Sequence, residues 1–178
     1  GPESYSTLKL ENAVAPTLEG TDLEFAVLYE PRGRFEYEDG VVDLSDQNPR
    51  ETLASDLERI ATELVSDENY LSVDGRPVLY FYIAHTLTGD VEGAFAEAQE
   101  RAGDEFYLIG DYGRTARLPN WAFDAVSPYN MYYPGEGVND GFSDYVEMEN
   151  RGWNLLARDA DFRFVPNTLP GFDNTDAV

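Results

Sequence analysis

The chain contains no cysteine, so disulfides and thiolate metal sites are excluded and the redox compartment is not written in it. Lysine is almost missing too: Lys9 is the single one, and the other eleven of the twelve basic residues are arginines. Twelve basic residues cannot assemble a phosphate-binding patch against thirty-five acidic ones, which excludes a nucleic-acid partner. No run approaches the roughly 18 apolar residues of a membrane span, so no membrane partner is expected, and no signal-peptide pattern is visible. Glycine-rich nucleotide fingerprints, internal repeats and low-complexity linkers are likewise missing.

What is present is aromatic and acidic. Ten Phe, twelve Tyr and two Trp supply the apolar surface of a globular core, and 178 residues are enough for one domain, read here as 1–178. The net charge of −23 is spread evenly rather than gathered in a tail. Self-repulsion on that scale weakens a compact state unless salt screens it. The composition therefore points to a soluble protein of a high-salt environment, with cytoplasmic and secreted locations both open.

Strands alternate with helices. Phe25-Ala26-Val27-Leu28-Tyr29 is a continuous apolar run of strand length, as expected of a strand buried on both faces. Asn48-Pro49-Arg50-Glu51 reads as an N-cap followed by proline at the first helical position, and Leu53, Leu57, Ile60, Leu64 and Val65 form one apolar stripe, giving a helix over about 49–65. Val73-Asp74-Gly75-Arg76 is a turn into a second strand, Pro77 to Ala84. A helix over about 91–102 stops at Gly103, and further strands are expected at 106–110, 122–126 and 162–165, with a helix around 142–157 before the last. This alternation predicts right-handed crossovers and a parallel sheet of about five strands. A doubly wound sheet and a TIM-type (β/α) barrel both satisfy it. A complete barrel needs about 250 residues, so here it would be incomplete.

In either architecture ligands bind at the carboxyl ends of the strands. Those ends are Glu30, His85, Asp111, the Ser127–Tyr129 segment and the stretch from Asn167 to Asn174. Glu30, beside Arg32 and Arg34, suits either orientation of a substrate hydroxyl or an ion pair with one of those arginines. His85 is the only histidine and, without cysteines, builds no zinc site. Asp111 suits a ligand contact or an ordinary turn. Tyr129, Tyr132 and Tyr133 suit stacking on a sugar or packing within their own loop. Asp173-Asn174-Thr175-Asp176 lacks the spacing of a calcium loop, so no metal and no cofactor is expected.

Several of these segments resemble motifs of the glycoside hydrolase family 99 endo-mannosidases. Tyr29-Glu30-Pro31-Arg32-Gly33-Arg34 resembles the first barrel-mouth motif, and Asp74-Gly75-Arg76-Pro77-Val78-Leu79-Tyr80-Phe81-Tyr82-Ile83 is similar to the family's turn-and-strand pattern. Val165-Pro166-Asn167-Thr168-Leu169-Pro170-Gly171-Phe172-Asp173-Asn174-Thr175 is similar to a later mouth segment, and Gly1-Pro2-Glu3-Ser4 resembles the tail of a Trp-Trp-Gly-Pro motif, favouring a native start over a tag scar. The resemblance implies an eight-stranded barrel hydrolysing α-linked, mannose-type glycans with retention through attack by the sugar's own 2-hydroxyl. It also implies that both catalytic glutamates lie on a later strand, in an Asn-Glu-Trp-x-Glu-Gly-type motif absent from these residues. Catalytic residues are therefore unassigned, and this stretch is expected to be inactive alone. Glu30, Arg34, His85, Asp111, Tyr129, Asn167 and Asp173 become substrate-binding candidates, with an oligosaccharide or polysaccharide as partner. His85 departs from the animal enzymes, which carry Tyr-Asp at Ala84-His85. A non-catalytic glycan-binding module and an unrelated salt-adapted α/β protein are the alternatives. Missing strands would leave open sheet edges that invite self-association.

Overall fold

Strand-forming runs separated by amphipathic helices place the sheet in the centre and the helices on one face. The computed structural model describes residues 13–112, 122–129, 142–160 and 162–166. In chain order these form α1 (Ala15–Leu18), β1 (Val27–Tyr29), β2 (Val42–Asp43), α2 (Gln47–Glu63), β3 (Ser72–Val73) and β4 (Arg76–Phe81). A 3-10 turn (Ala84–Thr86), β5 (Leu87–Thr88), α3 (Val91–Ala102), β6 (Tyr107–Gly110), β7 (Ala125–Val126), α4 (Phe142–Ala160) and β8 (Arg163–Phe164) follow.

The central sheet runs β1-β4-β6-β7-β8 with every neighbouring pair parallel. Its spatial order is its sequence order, with no reversal. A doubly wound sheet reverses direction at a switch point, and this one does not. The observed α/β fold is consistent with part of a TIM-like sheet, with the five expected parallel strands in place; closure into a barrel is a further matter. Two small additions were not foreseen: β3 pairs antiparallel with β4, and β2 with β5 forms a separate two-stranded parallel ribbon.

Alternation along the strands sorts the core. Tyr29, Leu79, Phe81, Leu108 and Val126 belong to one cluster with Leu53 and Leu57 of α2 and Phe95 and Ala98 of α3. Phe81 stacks on Tyr29 at 4.8 Å and meets Phe95 edge-on at 5.5 Å, so aromatic contacts tie β1, β4 and α3 together. Val78, Tyr107 and Ala125 form a second cluster on the opposite face, where Leu28 remains 46% exposed.

Local chemistry shifts two expected boundaries. Helix α2 starts at Gln47 with Asp46, not Asn48, at the N-cap, because Asp43 Oδ1 accepts from the Ser45 amide and turns the chain two residues earlier. Pro49 then sits in the first turn, where its missing amide has no partner to lose. Strand β4 stops at Phe81 rather than Ala84, because Ile83 takes a left-handed φ of 45°. The turn before β4 is as expected: Asp74 and Gly75 have φ of 54° and 79°, the two positive values of a type I′ hairpin.

Candidate functional site at the strand carboxyl ends

Asp111 follows directly on β6 and is 4% exposed. Burying a carboxylate demands partners for both oxygens. Its Oδ2 accepts from the Ile83 amide at 3.1 Å and its Oδ1 from the Tyr129 amide at 2.9 Å. Its own amide donates to Phe81 O at 2.9 Å, and its carbonyl accepts from the His85 amide at 3.3 Å. One side chain therefore binds the ends of β4, β6 and β7 together. The left-handed backbone of Ile83 is held by that bond; for a β-branched residue this conformation is an outlier of the kind found at binding sites.

The two residues positioned by this clamp face each other. Tyr82, just before Ile83, and Tyr129 meet edge-to-face with centroids 4.8 Å apart. Tyr129 is 49% exposed. The Arg32 guanidinium lies 5.6 Å from the Tyr82 ring centre, within cation–π range. Below them the Tyr80 hydroxyl donates to Ser127 O at 3.0 Å. Burial, reinforced by the Asp111 charge, holds that phenol protonated well above the ordinary tyrosine range. Burial also raises Tyr37, with the Glu30 charge adding to the shift while Thr86 and Arg32 oppose it.

The expected site residues separate into groups. Glu30 lies exposed at the end of β1 and forms neither expected ion pair; its Oε1 accepts from the Arg32 amide at 3.1 Å. Asp111 and Tyr129 join in the clamp, and His85 stands beside it in the 3-10 turn with Nδ1 3.4 Å from Asp111 O. Arg34 goes elsewhere. It pairs with Asp56 on α2, with Nε 2.8 Å from Oδ2, and the Tyr29 hydroxyl donates to the same carboxylate at 2.6 Å. That arrangement locks β1 to α2 and takes Arg34 away from the strand-end cluster. Asn167 and Asp173 lie outside the described residues, as do Tyr132 and Tyr133.

Arg32 and Tyr82 were missed as site residues. The period-two spacing of Tyr80 and Tyr82 could have flagged the latter as continuing the face opposite Phe81; nothing in the spacing distinguishes Arg32 from Arg34. At the other end of the strands an open groove of about 240 Å³ is lined by Arg76, Gln99, Phe123 and Asp124 among others. Its polar groups satisfy one another: Asp124 accepts from Arg76 and from the Leu108 amide, and Gln99 accepts from the Phe106 amide. Among the described residues no three acidic or histidine side chains converge to hold a metal, and no helix is long and apolar enough to cross a membrane.

No protein-family model matches the sequence, and no curated protein matches it. One solved structure, a "Glycoside hydrolase-like protein", is similar in fold, with a TM-score of 0.64 over 83% of this chain at 18% identity. The similar region is 48% of that protein, so this chain spans about half its length.

Proposed function

We propose that these residues form the glycan-binding part of a glycoside hydrolase-like barrel acting, with retention, on α-linked mannose-type glycans. The observation carrying this reading is the Tyr82–Tyr129 pair clamped by Asp111 at the carboxyl ends of a parallel sheet whose order follows the chain. That end of such a sheet is where substrates bind, and tyrosine faces suit the apolar face of a sugar ring. The fold likeness to a protein titled glycoside hydrolase-like supports it. So do the family 99-like motifs around Glu30 and Tyr82.

Hydrolysis needs two carboxylates about 5 to 10 Å apart. Asp111 has both oxygens bonded to backbone amides, which supports a positioning role for it; in this reading Glu30 orients substrate and the catalytic pair lies outside the described residues. The same observation favours a second reading, a binding module without hydrolysis. Titration with a panel of α-mannan oligosaccharides, together with a reducing-end assay, tests both. We expect binding that Tyr82→Ala and Tyr129→Ala each weaken at least tenfold. Binding to no glycan of the panel would sink the proposal, and binding without cleavage by a version extended beyond Val178 would establish the second reading.

A further inference from the structure

We infer that the strand-end cluster selects carboxylate-bearing sugars, with Arg32 receiving the carboxylate of a uronate residue. The inference rests on the glycan-binding reading above and deepens it. In a chain with thirty-five acidic residues, an arginine without a carboxylate partner is unusual. Among the described residues every arginine except Arg32 and Arg158 pairs with a carboxylate at 3.3 Å or less. Arg158 is exposed in the last turn of α4, which leads to the opposite, amino-terminal end of β8. Among the described residues, Arg32 alone stands without a carboxylate partner at the carboxyl ends of the strands.

Its geometry suits a ligand. The Arg32 guanidinium carbon lies 5.6 Å from the Tyr82 ring centre, and among the described residues no carboxylate takes up its N–H donors. Arg32 is exposed, so its side chain is accessible from solvent. A planar carboxylate accepts a guanidinium fork through two parallel bonds. Tyr129, half exposed and edge-to-face with Tyr82, offers a surface for the sugar ring carrying that carboxylate. The platform is preorganised. Gly33, with φ of 77°, turns the chain immediately after Arg32, and the Asp111 clamp holds the backbone behind both tyrosines. Glu30 lies beside Arg32 and disfavours more highly charged anions such as phosphomonoesters.

The net charge makes the idea sharply testable. An anionic ligand approaches a protein of charge −23 against a repulsive field, so unspecific binding of acidic polymers is suppressed. Raising salt from about 0.2 M to about 2 M removes the long-range repulsion while weakening the short Arg32 contact less. Calorimetric titration of the full chain with α-linked trigalacturonate, its carboxyl-reduced neutral counterpart, a sulfated counterpart and α-mannotetraose tests it. We expect the uronate to bind at least tenfold more tightly than its neutral twin, with affinity maintained or raised in high salt. Arg32→Ala should abolish that preference, bringing the uronate and its neutral twin to the same affinity, and Arg32→Lys should restore only part of it. Equal affinity for acidic and neutral twins overturns the inference, as does a preference that survives in Arg32→Ala or one for the sulfated sugar alone. Binding of none of the four overturns the underlying glycan reading instead.

Discussion

Asp111 shows how one buried side chain can order the ends of three strands. Its two carboxylate oxygens accept from amides that are 28 and 18 residues away, and those amides fix Tyr82 and Tyr129. Replacing it by Asn keeps the volume but sets an NH2 group against a backbone N–H. We expect Asp111→Asn to destabilise the fold by about 1–3 kcal/mol in urea denaturation, the range for an unsatisfied buried donor. A change under about 0.5 kcal/mol, the scale of ordinary surface substitutions, would refute the clamp. Tyr70 carries a pH prediction. Its buried hydroxyl donates to Val78 O at 2.8 Å, and burial pushes its pKa up to about 12 from 10.0. The folded state thus holds this proton more tightly than the unfolded one. Its contribution is complete below pH 10 and declines as pH rises from there through about 12. Tyr29 and Tyr80 shift in the same direction, both through burial. Chemical denaturation should show stability flat from about pH 8 to 10 and falling beyond, less steeply in Tyr70→Phe. A flat profile to pH 12 would contradict the assignment.

At the scale of elements, the turn glycines separate backbone strain from packing. Gly75 has φ of 79° with nothing within 4 Å of an added Cβ, so Gly75→Ala should lose about 1 kcal/mol through conformation alone. Gly89 has a similar φ of 73°, but a Cβ there would lie 1.9 Å from Asp43 Oδ1 and 2.9 Å from the Ser45 amide nitrogen. Gly89→Ala must therefore disrupt the turn joining the β2–β5 ribbon to α3, and thermal melts should show a clearly larger loss than for Gly75→Ala. Equal losses would mean that crowding adds nothing. The helices were the most legible elements in the sequence. Helix α3 spans Val91–Ala102 as expected, because Asp90 caps its start through the Gly93 amide and Gly103, with φ of 72°, ends it. The β2–β5 ribbon was not legible, since two-residue strands carry no periodicity.

At the scale of the molecule, charge and edges dominate. A net charge of −23 predicts that stability rises with salt: the urea midpoint should increase between about 0.1 M and about 1 M NaCl, as the screening length falls from about 10 to about 3 Å. A midpoint independent of salt would remove the case for salt adaptation. Strands β1 and β8 each have one parallel neighbour among the described residues, and Met148 and Leu155 of α4 are about 60% exposed. Unpaired edges and apolar exposure favour association. We expect light scattering in high salt to show self-association of this chain; a stable monomer would count against it.

Composition and periodicity alone determined an α/β protein with five parallel strands, the helices between them, and the end of the sheet at which to look for a ligand. They did so because burial period and capping are local properties of the chain. Local spacing could not separate two arginines on either side of Gly33. Arg34 reaches Asp56, 22 residues on, and locks a strand to a helix, while Arg32 lies over Tyr82 and faces solvent. Only the tertiary structure decided that division, because the partners that define each role are brought together by packing of the sheet against α2 and by the Asp111 clamp.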